Sequence, residues 1–278
     1  MILAESAPRS SGRVRRLLNW DAMPLCVRVL VVVLLVATVE ETLRIATPLL
    51  DGTVIWHDAA YNAVLVGSAA LCAIKAALHR TERVAWAMMG LALALWAGGE
   101  IYRTEVVADA AEAPFPSLAD ALWLGFLPPP TSRWCCSSGR LPHIDSRLWL
   151  DGLIAALTTG AVSAAVVFSA VQATTGGDAA AAATNLAYPL GDMVLIAIVI
   201  GAMTAGRGRL DRTWFFFGVG VTVWAVSDSI YLKQVAEGTY ALNGVLDLGW
   251  PVGALLIGLS AWQPAVHEAS AASGCRAS

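Results

Sequence analysis

The sequence predicts an all-α polytopic membrane protein, a helix bundle of about eight transmembrane helices in two repeated four-helix halves. Hydrophobic residues make up 57% of the 278 residues and charged residues 14%, whereas soluble domains carry about 25% charged residues. Apolar blocks of about 17–25 residues recur along the chain, and each could cross a bilayer as a helix. We therefore expect the chain in the inner (plasma) membrane of the cell, with the lipid bilayer as its main partner.

Three segments divide the chain. Residues 1–22 are expected to be a cytoplasmic N-terminal segment, residues 23–263 the membrane domain, and residues 264–278 a cytoplasmic tail. The two halves of the membrane domain cover about 23–140 and 141–263. The candidate spans are, in order, Met23–Pro48, Ala59–Leu78, Val84–Tyr102, Leu118–Leu127, Leu148–Val171, Leu186–Ala205, Trp214–Gln234 and Leu246–Trp262.

The distribution of basic residues predicts the orientation. Lysine and arginine concentrate before the first span and after the second, fourth and sixth spans, for example at Arg13, Arg80 and Arg207. Cytoplasmic segments carry this excess, so both ends of the chain are expected in the cytoplasm. The first apolar block follows basic residues, as in a signal peptide, but it is long and lacks a small-residue cleavage site, so we interpret it as an anchor.

The fourth span is expected to be truncated or broken. Leu118–Leu127 would rise only about 15 Å as a helix, half a bilayer, and three prolines follow that block helix propagation. When residues 128–140 are read in a frame that starts on the last base of each codon, Trp134–Cys135 gives Val and Cys135–Cys136 gives Leu. We hypothesise two compensating frame changes here; the alternative is a cytoplasmic loop after a short re-entrant segment.

The halves share the order Trp, acid, Tyr, acid, Trp. "LWAGGEIY" in the first half matches "VWAVSDSIY" in the second, with Trp96 four residues before Glu100 and Trp224 four before Asp228. Further along, "LADALW" matches "VLDLGW", each with an Asp three residues before a Trp. We interpret this order as a parallel repeat. The alternative is that apolar helices resemble one another by composition.

Ionisable groups inside membrane spans are costly and usually mark function. In the predicted topology, five carboxylates lie in the outer half of the membrane, with tyrosines at a similar depth. Carboxylates this close in low dielectric need protonation, a bound cation or cationic ligand, or pairing with Arg44, Arg103 or Lys233, and tyrosine rings can supply cation–π faces. The ligand-binding candidates are Glu100, Tyr102, Asp120, Tyr188, Asp192, Asp228, Tyr231 and Asp247.

Each candidate has an alternative structural role. Asp120 and Asp247 begin spans, where an aspartate caps a helix N-terminus, and Asp192 and Asp228 lie deeper, where a buried polar cluster is favoured. Interfacial Tyr and Trp also form aromatic belts.

Two proline–glycine motifs are expected to open the sixth and eighth helices. They are Pro189-Leu-Gly191 and Pro251-Val-Gly253. Such residues can break a helix and expose backbone groups to a ligand, or only kink it.

Enzyme motifs are absent from the sequence: it has no HExxH, P-loop, paired CxxC, GxGxxG or Ser-His-Asp arrangement. We therefore expect no catalytic residues, no metal, no cofactor and no nucleic-acid partner.

Five stretches carry a resemblance: "PFPSLADALWLGF", "LWLDGLIAAL", "NLAYPLGDMVLIAIVIGA", "VSDSIYLKQVAEGTY" and "LDLGWPVGALLIGLSAWQP". From about Leu25 to Pro264 the chain resembles the N-terminal membrane region of bacterial cyclic-di-GMP signalling proteins, which precedes diguanylate cyclase (GGDEF) and phosphodiesterase (EAL) domains. In that family the "PSLAD" helix continues as an apolar span, whereas here Phe126 leads into the prolines. The sequence contains no GG[DE]EF motif, and Gly176–Asp178 falls in a predicted outer loop.

The resemblance implies a sensory, signal-transducing input module without its output domain, and therefore not an enzyme. It also implies a cytoplasmic signalling partner and is compatible with an oligomer. The alternatives are a small-solute or ion transporter, a membrane scaffold without a ligand, or a non-functional truncated fragment.

Overall fold

The computed structural model describes residues 20–47, 54–107, 115–126, 154, 158, 178–205, 212–242 and 244–263. Over these residues the regular structure is helical and contains no strand, which confirms the all-α class. The predicted cytoplasmic tail and the frame hypothesis at 128–140 lie outside the described residues, as do nearly all of residues 1–22 and of the fifth candidate span.

The described ranges contain seven α-helices. Short 3-10 turns precede three of them, at Trp20–Ala22, Arg80–Glu82 and Val245–Leu248, and a π-helical turn, Arg103–Val107, continues another. The helices are α1 (Leu25–Ala46), α2 (Val54–Leu78), α3 (Arg83–Tyr102), α4 (Leu118–Leu124), α5 (Ala179–Ala205), α6 (Arg212–Glu237) and α7 (Gly249–Ser260).

Four helical segments in the described part are long and apolar enough to cross a membrane, by length and composition. They are Ala59–Leu78, Arg80–Val107, Ala179–Ile200 and Arg212–Glu237, and Val245–Ser260 is a shorter apolar segment. The four coincide with the second, third, sixth and seventh candidate spans. Helix α1 is 22 residues long but carries four charged residues, and α4, with 7 residues, is far too short. Within the described residues the structure thus supports four of the eight predicted membrane-crossing helices.

Helix α1 exposes an apolar surface of a kind that suits contact with lipid. Eight of its large aliphatic side chains are between 38% and 73% exposed: Leu25, Val29, Val32, Val33, Leu35, Val36, Val39 and Leu43 lie in this range. A soluble surface helix would instead place polar residues there. This pattern agrees with a membrane location for the bundle.

Helix α7 lies at the centre of the packing, between α2 and α6. Around this centre, α2 also packs along α1 and α3, and α4 packs on α3. Helix α5 packs on α6 and touches α4. Helices α6 and α7 approach closely at two glycines: a Cβ atom on Gly220 would lie 2.8 Å from the Gly253 carbonyl oxygen, and one on Gly253 would lie 2.9 Å from the Gly220 oxygen. Small residues at such crossings are typical of membrane helix pairs.

Aromatic rings from α3, from α6 and from the turn after α4 pack against one another. The Trp96 and Trp224 ring centroids are 4.4 Å apart in an edge-to-face arrangement, and Phe126 stacks on Trp224 at 4.5 Å. Trp224 is only 2% exposed. This cluster forms a packed aromatic layer in the bundle.

The prediction that Pro189 opens the sixth helix is wrong. Helix α5 begins at Ala179 and contains Pro189 in its interior, because the alanine run before it has the highest intrinsic helix propensity. Proline has no N–H to donate to the carbonyl four residues earlier, which is that of Asn185. Pro251 lies in the first turn of α7, so the corresponding prediction for the eighth helix is confirmed.

Candidate ligand-binding site

A cavity of about 350 Å³ lies where α3 and α6 end and where α4 and α7 begin. We call this end of the bundle the cavity end, and the other the opposite end. The volume lies within the range of small-molecule sites, about 300–1,000 Å³. Four carboxylates line the cavity, those of Glu100, Asp120, Asp228 and Asp247. Eight aromatic side chains also line it: Tyr61, Trp96, Phe115, Trp123, Tyr188, Tyr231, Tyr240 and Trp250.

Glu100 is paired with a cation from its own helix end. The Arg103 Nε donates to Glu100 Oε1 at 2.9 Å, and its Nη2 donates to the same oxygen. The π-helical turn that starts at Arg103 places the guanidinium one turn beyond Glu100. This carboxylate is therefore neutralised within the protein.

Asp120 closes the first turn of α4 and also reaches across the bundle. It accepts hydrogen bonds from the Ser117 backbone N–H at 2.7 Å and the Ser117 hydroxyl at 3.0 Å, in a capping box. Its other oxygen accepts from the Tyr188 hydroxyl of α5 at 2.9 Å. The capping alternative is thus confirmed for Asp120, while its second oxygen remains part of the cavity wall.

Asp247 has a similar arrangement at the start of α7. It accepts from the Gly244 N–H at 3.0 Å and from the Tyr240 hydroxyl at 2.8 Å, so it also caps its turn. Burial raises the pKa of Tyr240, and the neighbouring Asp247 carboxylate raises it further, so this phenol remains a hydrogen-bond donor at neutral pH. Tyr61 of α2 lies close enough to interact with Glu100 and Asp247.

Asp228 lies deeper, beside a second aspartate. The Trp250 indole N–H donates to its Oδ1 at 2.6 Å, and the Asp192 carboxyl of α5 lies within hydrogen-bonding range. The Oδ2 atom of Asp192 is buried and has no hydrogen-bond partner among the described residues. Two adjacent carboxyl groups cannot both ionise freely in low dielectric, so this pair needs a shared proton or a cation.

Two indole N–H groups at the cavity also lack acceptors. The Nε1 atoms of Trp96 and Trp123 are buried without a partner among the described residues, and the two rings are 5.9 Å apart. Trp123 packs closely on α3, since a Cβ atom at Gly99 would lie 2.7 Å from its ring. Buried polar groups are normally satisfied, so these donors are a feature that a bound polar molecule would explain.

The structure brings most of the predicted site residues together. Tyr102 and Asp192 are not among the residues that line the cavity, although Asp192 contacts Asp228. The other six candidates line it: Glu100, Asp120, Tyr188, Asp228, Tyr231 and Asp247.

Among the described residues, Arg103 pairs with a candidate carboxylate, that of Glu100. The other two basic residues predicted as counter-charges each contact an acid one turn away on the same helix: Arg44 bonds to Glu41 at 2.9 Å and Lys233 lies 3.9 Å from Glu237.

Sequence reasoning missed some of the cavity wall. Tyr240 lies in a loop that was expected only to connect two spans, and Asn185 and Phe115 were not singled out. A signal for Tyr240 was its position seven residues before Asp247, within reach of a helix-capping carboxylate. Asn185 could have been found from Pro189, four residues later, which removes a donor from its carbonyl.

Comparison of the chain with protein-family models, with curated proteins and with solved structures gives no match. The class of protein is therefore defined by its own fold and site: a helical bundle with membrane-length helices and an acidic, aromatic cavity at one end.

Proposed function

We propose that this chain is a membrane-embedded sensory input module of the cyclic-di-GMP signalling type, and that its ligand binds in the cavity. The observation that carries the proposal is the convergence on one cavity of six predicted acids and tyrosines, which come from α3, α4, α5, α6 and the turn before α7. The motifs that resemble the membrane regions of diguanylate cyclases and phosphodiesterases support the signalling role.

We also propose that the domain has two repeated halves, about eight spans in all, with both ends of the chain cytoplasmic and the cavity end outside. Matched contacts support the repeat. Helix α4 touches α5, and α7 packs on α2, so the last helix of each half meets the second helix of the other. Tyr188 bonds to Asp120, and the matching Tyr61 lies near Asp247.

Helix α7 supplies a route for the signal. It starts at the cavity, directly after the turn that contains Asp247 and with Trp250 in its first turn. It ends at the opposite end near Trp262, whose indole N–H donates to the Leu71 carbonyl at 3.1 Å. A ligand that binds one packing of α7 more tightly than another shifts the population towards that packing. The change would then reach a cytoplasmic partner at the opposite end.

The test uses the full chain in lipid nanodiscs, in a background in which its five cysteines are replaced. Three probes of matched shape are titrated: benzyltrimethylammonium (cation), neopentylbenzene (neutral) and benzylsulfonate (anion). Nitroxides at Arg80→Cys and Arg212→Cys, both at the opposite end, report the distance by pulsed electron resonance. We expect at least one probe to bind saturably, to slow maleimide labelling of Leu242→Cys at the cavity, and to change that distance.

Two results would contradict the proposal. If none of the three probes binds, the cavity is not a ligand site. If a bound probe instead crosses proteoliposome membranes at a rate that the protein accelerates, the transporter alternative replaces the sensor.

A further inference from the structure

We infer that the ligand of this cavity is an organic cation, a molecule that carries an ammonium group on an apolar body. The inference rests on the proposed function, since it assumes that the cavity binds a ligand, and it names the chemical class. Its anchors are the carboxylates of Asp120 and Asp228, surrounded by tyrosine and tryptophan rings.

The charge of the cavity wall favours a cation. Among the described residues that line the cavity there are four carboxylates and one basic side chain, Arg103. Arg103 is already bound to Glu100. The hydrogen bonds to Asp120 and Asp228 come from neutral donors, namely a backbone N–H, hydroxyls and an indole. Burying ionised carboxylates without a counter-charge is strongly unfavourable, so a ligand that brings positive charge is favoured over a neutral or anionic one.

The arrangement of the acids favours an organic cation over a metal ion. In the part of the chain that the structure describes, no three His, Cys, Asp or Glu side chains are grouped to hold a metal. The cavity carboxylates are instead separated by aromatic rings, and a volume of about 350 Å³ is far larger than a bare ion needs. A charge spread over alkyl groups fits that spacing.

The rings supply the second component of recognition. Tyr231 packs edge-to-face on Tyr240 at 4.8 Å and on Trp250 at 5.8 Å, so three rings form one wall beside Asp228 and Asp247. Aromatic faces next to carboxylates attract ammonium groups through the ring quadrupole, and more strongly where the ammonium group is desolvated. Such a wall binds a cation with an apolar body in preference to a strongly hydrated one.

A buried donor at the cavity points to a missing polar partner. Trp96 is 7% exposed, lines the cavity, and its indole N–H has no acceptor among the described residues. A ligand with an oxygen near its ammonium group would give this N–H an acceptor.

The deciding experiment measures affinity for the three matched probes on the full chain in nanodiscs by calorimetry, with empty nanodiscs to subtract partition into lipid. We expect benzyltrimethylammonium to bind at least tenfold more tightly than neopentylbenzene, and benzylsulfonate not to bind. Asp228→Asn and Asp120→Asn should each weaken the cation at least tenfold and leave the neutral probe unchanged. Glu237→Gln is the matched control, because it removes the same charge from an exposed side chain that is not among those lining the cavity.

The outcomes separate this inference from the proposed function. If the neutral or the anionic probe binds as tightly as the cation, the cavity is a ligand site but the inference of an organic cation is wrong. If no probe binds, the proposed function itself fails. Should an aspartate variant fail to fold, the ranking of the three probes on the unmodified chain still decides.

Discussion

The two ends of the bundle use the same kinds of residue in opposite ways. At the opposite end, Lys75 lies 3.8 Å from Glu82 and 5.4 Å from the Trp262 ring centroid, and the Trp86 indole N–H donates to Glu82 at 3.1 Å. At the cavity end, acids and tryptophans surround an open volume, and Trp96 keeps a buried N–H without an acceptor in the described structure.

The two ends differ in how completely their polar groups are paired. The cluster of Lys75, Glu82, Trp86 and Trp262, which we call the anchor cluster, joins the turn between α2 and α3 to the end of α7, and its polar groups contact one another. The cavity end leaves polar groups incompletely paired, which costs stability and is typical of functional sites.

Truncating the aromatic layer should affect both ends at once. Trp224→Ala removes a fully buried ring that contacts Trp96 and Phe126, so we expect a loss of about 3–5 kcal/mol in the free energy of unfolding. Unfolding in mixed micelles with increasing dodecyl sulfate, followed by circular dichroism, measures it. Trp224→Phe, which keeps a ring against Phe126, should lose less than half as much; equal losses would show that the ring contacts contribute little.

Removing one carboxylate from each end should change stability in opposite directions. Glu82→Gln keeps an acceptor for the Trp86 indole but removes the negative charge that faces Lys75. The Lys75 and Glu82 side chains are only 11% and 15% exposed. We therefore expect the free energy of unfolding to fall by about 1–3 kcal/mol. Asp228→Asn keeps an acceptor for Trp250 and gives Asp192 a donor in place of an adjacent carboxyl, so its melting temperature should rise.

The same assay with Lys75→Met added to Glu82→Gln gives the coupling between the two charges. The double variant should recover part of the loss. Losses of similar size in Glu82→Gln and Asp228→Asn would remove the distinction between an anchor cluster and a binding site.

Two adjacent glycines of α3 offer a matched pair at the cavity wall. A Cβ atom on Gly99 would lie 2.7 Å from the Trp123 ring, whereas one on Gly98 meets nothing within 4 Å. Gly98→Ala should therefore stabilise the helix by about 0.5–1 kcal/mol. Gly99→Ala should displace Trp123, weaken benzyltrimethylammonium binding several-fold and shift the tryptophan emission. Equal effects of the two substitutions would mean that Trp123 does not form the wall.

The smallest effect concerns the Tyr240 hydroxyl. The pKa of Tyr240 is raised by burial and by Asp247, so the folded state keeps this proton when the unfolded chain loses it near pH 10. The stabilisation that comes from this pKa difference is complete below the pKa of the unfolded chain. It is lost as the pH rises through the higher pKa of the folded state. Tyr240→Phe should unfold with a shallower dependence on pH above about 10; Tyr102→Phe, outside the cavity, is the control. An identical slope in Tyr240→Phe and the unmodified chain would contradict this.

Much of the fold follows from local sequence. Membrane-length helices occur where the apolar runs predict them, at the second, third, sixth and seventh spans, because helix formation and burial in lipid depend on composition over about twenty residues. Helix ends were less predictable: the start of α5 at Ala179 was missed because alanine propensity extends a helix beyond its apolar core.

By itself the sequence determined the all-α class and the apolar, membrane-length helices, since both depend on near neighbours. Only the tertiary structure decided that Asp120 meets Tyr188, 68 residues away, that Arg103 pairs with Glu100, and that the anchor cluster closes the opposite end. Such pairings depend on which helices pack together and on how closely their backbones approach, at glycines such as Gly99 and Gly220. The cavity is a volume enclosed between packed helices, so it exists only once the helices are assembled.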